Sequence, residues 1–152
     1  MVDKERLIRL TARLISIDSQ NPPGEEFRIA SFVNNYLKNL GLKTKIYEFK
    51  RRRSNVIAVL KGKGSKHSLL ITPHLDTVPA GKSWSLNPFS GHIKGKRIYG
   101  LGATDCKGNL ACALEAINSI REENIPLNYN LIFAATADEE SGSDLGLNPL
   151  LD

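Results

Sequence analysis

The feature that most constrains the fold is a pair of largely apolar runs separated by one helical segment. The runs are Ser68–Thr72 and Asn130–Ala135, and helical spacing of apolar residues covers about Lys107–Arg121. Runs of this kind are expected of strands buried on both faces. Strand, crossover helix and strand form a parallel βαβ unit. We therefore expect an α/β fold whose mixed, mainly parallel sheet lies between helix layers.

Two amphipathic helices and a hairpin are predicted before this unit. Asp3 can cap the first helix, and the second helix stops at Gly41. Thr44–Phe49 and Asn55–Leu60 are alternating or apolar runs joined by a short basic turn, which is typical of a β-hairpin. After the first buried strand, a short strand is compatible with the segment Arg97–Tyr99.

The composition argues against a membrane-spanning chain. Apolar residues make up 41% of the 152 residues, and no run approaches the ~18 apolar residues that a membrane span needs. The N-terminal stretch MVDKERLIRL carries charges where a signal peptide has an apolar core. We therefore expect a single domain with a cytoplasmic location.

The net charge of +5 raises the question of nucleic-acid binding, since basic runs occur at Lys50–Arg53 and Lys61–Lys66. If each run lies in a turn, the two sit at opposite ends of the strand Asn55–Leu60 and cannot form one patch. Solvated turns are the favoured interpretation, and we expect no nucleic-acid partner.

Acidic and imidazole side chains follow the ends of the two buried strands. His74 and Asp76 come after the first strand, Glu139 and Glu140 come after the second, and Asp105 precedes the crossover helix. In open α/β sheets, ligands bind beyond the carboxyl ends of the strands. We therefore expect these five side chains to converge on one cleft.

These residue types are the donors that metal-dependent hydrolysis requires. A metal-bound imidazole needs its other nitrogen held, which Asp76 could do for His74. The adjacent Glu139 and Glu140 repel one another unless a cation or proton compensates. Taken separately, the histidine could be a loop residue and the glutamates an exposed acidic turn. Their combination favours a metal site.

Three motifs resemble the consecutive signatures of the M20 metallopeptidase and amidohydrolase family: HLDTVPAG, WSLNPFSG with the following GKRIYGLGATDCKGNLA, and ADEESG. The family includes deacetylases and desuccinylases. The resemblance implies a zinc-exopeptidase-like αβα sandwich, here incomplete. It also implies hydrolysis of an N-acyl amino acid or small peptide, with two Zn²⁺ ions as cofactors. Co²⁺ or Mn²⁺ could occupy such a nitrogen and oxygen site.

The family pattern assigns a role to each of the five side chains. His74 is implied to bind one zinc, Asp105 to bridge both ions, and Glu140 to bind the second. Glu139 is implied to be the general base, and Asp76 to orient the imidazole.

The two cysteines, Cys106 and Cys112, form neither a CxxC pair nor a secreted disulfide framework, and both are expected to be reduced. Cys106 could offer a soft metal ligand, although packing at a helix start is favoured. The resemblance places a non-proline cis peptide at Asp105–Cys106, and position 106 is commonly Met in the family.

The resemblance also implies ligands that this sequence does not contain. The sequence given ends at Asp152, twelve positions after Glu140, whereas the family supplies a further carboxylate and a late histidine. We expect residues 1–152 to be the N-terminal portion of a metallohydrolase catalytic domain, without the C-terminal part or the dimerisation domain. The full-length protein is then expected to be a homodimer. The alternative is a non-catalytic fragment that acts in binding or assembly.

Replacing Glu139 by Gln is predicted to abolish hydrolysis while leaving the metal content nearly intact. The amide cannot accept a proton from water, whereas a residue that is not a ligand is dispensable for metal retention. Elemental analysis of the purified variant, together with an activity assay, checks this. Loss of metal would contradict the base role and indicate a ligand.

Overall fold

The computed structural model describes residues 1–64 and 66–151, and two helices precede the strands in it. The helices and strands, in chain order, are α1 (Lys4–Ile15), α2 (Phe27–Asn39), β1 (Thr44–Lys50), β2 (Arg53–Leu60), β3 (Ser68–Ile71), β4 (His92–Lys94), β5 (Arg97–Tyr99), α3 (Lys107–Glu122), β6 (Asn130–Ala135) and α4 (Asn148–Leu151). A single 3₁₀ turn at Glu139–Ser141 lies between β6 and α4.

Four strands form one sheet in the order β1-β2-β6-β3. The predicted hairpin is confirmed by the antiparallel β1–β2 pair, and the predicted βαβ unit by the parallel β3–β6 pair. The α/β class and a mixed sheet flanked by helices are therefore confirmed. The sheet is not mainly parallel, because β2 runs antiparallel to both of its neighbours. The short strand β5 is confirmed, and it pairs with β4, which the sequence did not indicate.

The apolar core joins α1, α2 and α3 to the sheet. On β2 and β6 the core residues alternate along the strand, so one face of each strand points into the core. These alternating core residues are Val56, Ala58 and Leu60 on β2, and Leu131, Phe133 and Ala135 on β6.

The strand β3 is not buried on both faces, contrary to the prediction. Within the described residues it pairs with β6 alone and forms an edge of the sheet. Leu69 is 58% exposed and Leu70 is 40% exposed. An apolar run reports a preference for burial, but it does not report the position of the strand in the sheet. An apolar edge of this kind is open to pairing with a further strand.

The predicted ends of the first two helices are confirmed. The Asp3 carboxylate accepts a hydrogen bond from the backbone N–H of Arg6 at 3.0 Å, which caps α1. Gly41 follows α2 with a φ of 76°, the left-handed conformation that commonly ends a helix. In the described ranges we find no helix with the length and apolar character needed to cross a membrane.

The two basic runs lie before and after the body of β2, at opposite ends of that strand as predicted. The second run includes Ser65, which falls outside the described residues. One member of the first run, Arg53, is buried instead of solvated, and its environment belongs to the site described next.

Candidate metal centre

The parallel pairing of β3 with β6 continues past the ends of both strands. His74 forms a parallel bridge with Thr136. The N–H of Leu75 donates to the Thr136 carbonyl at 2.7 Å, and the Thr136 N–H donates to the Pro73 carbonyl at 3.1 Å. The segment that carries His74 therefore runs beside the segment that leads to Glu139, which explains why residues far apart in sequence meet.

The loop that carries Asp105 packs against the segment after β3, and the helix start that follows the loop is anchored to the segment after α1. Gly102 has a φ of 76°, and a Cβ at this position would lie 2.7 Å from the Thr77 side chain. Lys107, at the start of α3, is fully buried and donates from Nζ to the Ile17 carbonyl at 2.6 Å. Burial lowers the pKa of this lysine to about 8. Close backbone approach and a buried amine together fix the position of the loop.

The imidazole of His74 faces the predicted carboxylates with one defined nitrogen. Nδ1 lies 3.0 Å from the backbone carbonyl of Asp76, and a carbonyl can only accept, so Nδ1 carries a proton. Nε2 lies 2.9 Å from Asp105 Oδ1 and 3.8 Å from Glu139 Oε2. Nε2 is thus the nitrogen that is available to a metal ion.

The Asp76 carboxylate is completely buried and holds the double-glutamate turn. It accepts from the backbone N–H groups of Glu139 and Glu140, each at 3.2 Å, and from Asn21 Nδ2 at 2.9 Å. Burial by itself raises the pKa of Asp76, but these bonds and the contact with His74 outweigh it and hold the pKa below its ordinary value. The residue thereby joins the His74 segment to the turn.

A buried ion network supports the same turn, and sequence reasoning missed it. Arg53 donates from Nε and Nη2 to the two oxygens of Glu26 at 2.7 and 2.8 Å, and from Nη2 to Asp138 Oδ1 at 2.7 Å. The prediction of a solvated turn was wrong for Arg53, because it is the first residue of β2. Since β2 is antiparallel to β6, its start lies beside the end of β6. No local signal separates Arg53 from Arg51 and Arg52.

Two groups of nitrogen, oxygen and sulfur donors converge beyond the carboxyl ends of β3 and β6. His74 groups with Asp105 and Cys106, and also with Glu139 and Glu140, with all donor atoms of each group within 4.8 Å of one another. Such a mixed donor set fits a transition-metal ion such as zinc. The Cys106 side chain is buried, as its favoured packing role requires, and its thiol lies beside these donors. The non-proline cis peptide expected at Asp105–Cys106 is present.

The carboxylates around Glu140 create an electrostatic environment that favours an added positive charge. Burial raises the pKa of Glu140, and the negative charges of Asp105, Asp76 and Glu139 raise it further against the attraction of His74. A cation placed among these carboxylates would stabilise their ionised forms.

A cleft of about 300 Å³ adjoins the donor groups. Its lining combines apolar side chains, the Asp105 loop and one of the paired glutamates, and comprises Thr77, Val78, Trp84, Gly100, Leu101, Gly102, Ala103, Thr104, Asp105 and Glu140. A larger cleft of about 640 Å³ lies between the ends of α2, β2 and α3, and none of the five predicted site residues lines it.

Metal affinity of the metal-free protein is predicted to rise with pH. Burial lowers the pKa of His74, but hydrogen bonds with Asp76, Cys106 and Asp105 outweigh it and raise the pKa to about 11. A metal ion must displace the Nε2 proton, so below this pKa the apparent affinity should increase about tenfold per pH unit. Competition of zinc with a chromogenic chelator, corrected for the chelator's own protonation, measures this between pH 6.5 and 8.5. An affinity independent of pH in this range would contradict it.

Comparison with known proteins places this geometry in a family context. Peptidase family M20/M25/M40 matches residues 70–152. The chain is 36% identical over 144 residues to N-formyl-4-amino-5-aminomethyl-2-methylpyrimidine deformylase of Bacillus subtilis (strain 168). This alignment covers 91% of this chain and 34% of the relative. The chain is also 32% identical over 143 residues to succinyl-diaminopimelate desuccinylase of Rickettsia typhi (strain ATCC VR-144 / Wilmington). This second alignment covers 91% of this chain and 37% of the relative.

A similar solved structure is the M20 family metallo-carboxypeptidase Sso-CP2 from Sulfolobus solfataricus. It aligns with a TM-score of 0.76 at 29% identity, over 93% of this chain and 32% of that one. The chain spans about a third of the length of the curated relatives it matches. On the family match over more than half of its length, supported by these relatives, the chain belongs to Peptidase family M20/M25/M40.

Proposed function

We propose that the protein hydrolyses an amide bond with metal-activated water, in an N-acyl amino acid or a small peptide. The observation that carries this proposal is the convergence of His74 Nε2 with the carboxylates of Asp105 and Glu139, beside the half-buried Glu140. The names of the relatives, a deformylase, a desuccinylase and a metallo-carboxypeptidase, support the reaction class.

The metal ions would be held by His74, Asp105 and Glu140, with Asp105 shared between two ions. We propose zinc, while cobalt and manganese suit the same nitrogen and oxygen donors. When bound, the ions supply Lewis acidity toward the amide carbonyl and lower the pKa of water. We propose that residues 1–152 are the N-terminal portion of the catalytic domain, with the remaining ligands supplied by the rest of the full-length protein.

Proton transfer is the proposed role of Glu139. Its side chain is about half exposed and approaches His74 Nε2 at 3.8 Å, so it reaches the donor group while facing solvent. The carboxylate would accept the proton of the attacking water and return it to the departing amine nitrogen. Asp76 would hold the His74 ring through its backbone carbonyl, and would hold the Glu139 backbone through its carboxylate.

The adjoining cleft supports a small substrate. Its volume of about 300 Å³ suits a short acyl group or one amino-acid side chain. Trp84 and Val78 give part of its wall an apolar character. Formyl, acetyl and succinyl groups are therefore the acyl groups to test first, and small peptides are the next class.

The remaining expectations concern the whole protein. A homodimer formed through a separate domain and a cytoplasmic location are proposals that rest on the resemblance and the sequence. The alternative of a non-catalytic binding fragment gives no reason for a completely buried Asp76 that holds both glutamate amides.

The full-length protein is predicted to hydrolyse at least one member of a panel of N-formyl, N-acetyl and N-succinyl amino acids and dipeptides. Removal of metal with a chelator should abolish the activity, because both water activation and carbonyl polarisation are lost. Zinc should restore it, and magnesium serves as the control ion because it prefers oxygen ligands in octahedral geometry. Release of free amine measures turnover. Hydrolysis that survives complete metal removal, or a metal-loaded protein inactive on the whole panel, would contradict the proposed function.

A further inference from the structure

Arg53 is a buried cation that neither the proposed metal binding nor the proposed proton transfer uses. Its side chain is 8% exposed. Nε and Nη2 donate hydrogen bonds to the two oxygens of Glu26, and Nη2 also donates to Asp138. The guanidinium therefore neutralises two buried carboxylates on different elements, one at the start of α2 and one after β6.

Asp138 is the residue through which this ion network reaches the site. Its φ of 66° places a non-glycine residue in the left-handed conformation, which surrounding contacts must hold. Its N–H donates to Glu26 Oε1 at 3.3 Å, and its side-chain oxygens accept from Arg53 at 2.7 Å and from the Leu145 N–H at 3.1 Å. The turn residues Glu139 and Glu140 follow it directly.

Asn21 connects this ion network to Asp76. Its Nδ2 donates to Asp138 Oδ1 at 3.3 Å and to Asp76 Oδ2 at 2.9 Å. The double-glutamate turn is thus held from both sides. Asp76 binds the amides of Glu139 and Glu140, and Arg53 fixes the residue that precedes them.

We propose that Arg53 is a positioning residue, whose contacts with Glu26 and Asp138 set the turn so that the Glu139 and Glu140 carboxyl groups face His74. The planar guanidinium satisfies two carboxylates in fixed directions, which the single ammonium of lysine cannot reproduce. The catalytic consequence rests on the proposed function, whereas the effect on the turn does not.

The kinetic test compares Arg53→Lys with Arg52→Lys in the full-length, zinc-loaded protein. Arg52 is a matched control, because it is the adjacent arginine and pairs with Glu25 at 3.1 Å but is partly exposed. In Arg53→Lys the value of kcat should fall by about 10- to 100-fold, because a small misplacement of the base costs that much. KM should stay within about threefold, since binding groups remain. Arg52→Lys should match the wild type.

An activity-independent readout separates the failure of this proposal from failure of the proposed function. Hydrogen exchange at the amides of Glu139 and Glu140 reports their bonds to Asp76. Arg53→Lys should speed this exchange about tenfold, while Arg52→Lys leaves it unchanged. If the wild type hydrolyses no amide, the exchange result still decides the positioning role. Wild-type exchange in Arg53→Lys would overturn the proposal, as would a kcat equal to that of the control or a loss confined to KM.

A second variant covers the case in which Arg53→Lys does not fold. Glu26→Gln keeps the shape of the Glu26 side chain and leaves the hydrogen bond from Arg53 to Asp138 in place. It removes the negative charge of Glu26, with which the Arg53 guanidinium pairs. It should change kcat and amide exchange in the same direction and to a smaller extent. Wild-type values for both would overturn the proposal.

Discussion

The site depends on one buried carboxylate, that of Asp76. A completely buried carboxylate is costly unless hydrogen bonds replace the water it loses, and here Asn21 and the backbone amides of Glu139 and Glu140 do so. The same residue offers its backbone carbonyl to His74 Nδ1. One side chain and its own main chain thus join the segments that follow β3 and β6. The hydrogen bonds that compensate the burial of the Asp76 carboxylate therefore also hold the donor groups together.

Charge balance explains why this assembly suits a cation. Besides Asp76, three carboxylates gather near one imidazole, and burial together with repulsion from the neighbouring carboxylates raises the pKa of Glu140. The Asp105 side chain is largely exposed and that of Glu139 is about half exposed, whereas His74 and Asp76 are buried. The side chains that support the site are therefore inside the protein, whereas Asp105 and Glu140 line the cleft. A preorganised support beneath accessible donors is what metal-dependent catalysis requires.

The parts of the site that follow strand ends could be predicted from sequence, because the topology of a βαβ unit fixes where those ends lie. His74 and Glu139 are brought together for this reason, and Asp105 joins them because its loop leads into the crossover helix α3. The edge position of β3 and the burial of Arg53 could not be predicted, because both depend on which strand lies alongside. An arginine in a basic turn and one at the start of an antiparallel strand share the same local pattern. Asn21 and Glu26 act through tertiary contacts that no spacing rule encodes.

The most direct test of the account is the zinc affinity of Asp76→Asn in the full-length protein, measured by competition titration. The amide presents an N–H group where a backbone N–H now donates, so one bond to the double-glutamate turn is replaced by repulsion. The account predicts a loss of about 10- to 100-fold in affinity. Asp144→Asn, at an exposed aspartate that contacts Asn148, should keep the wild-type value. An unchanged affinity in Asp76→Asn would contradict the central role assigned to this carboxylate.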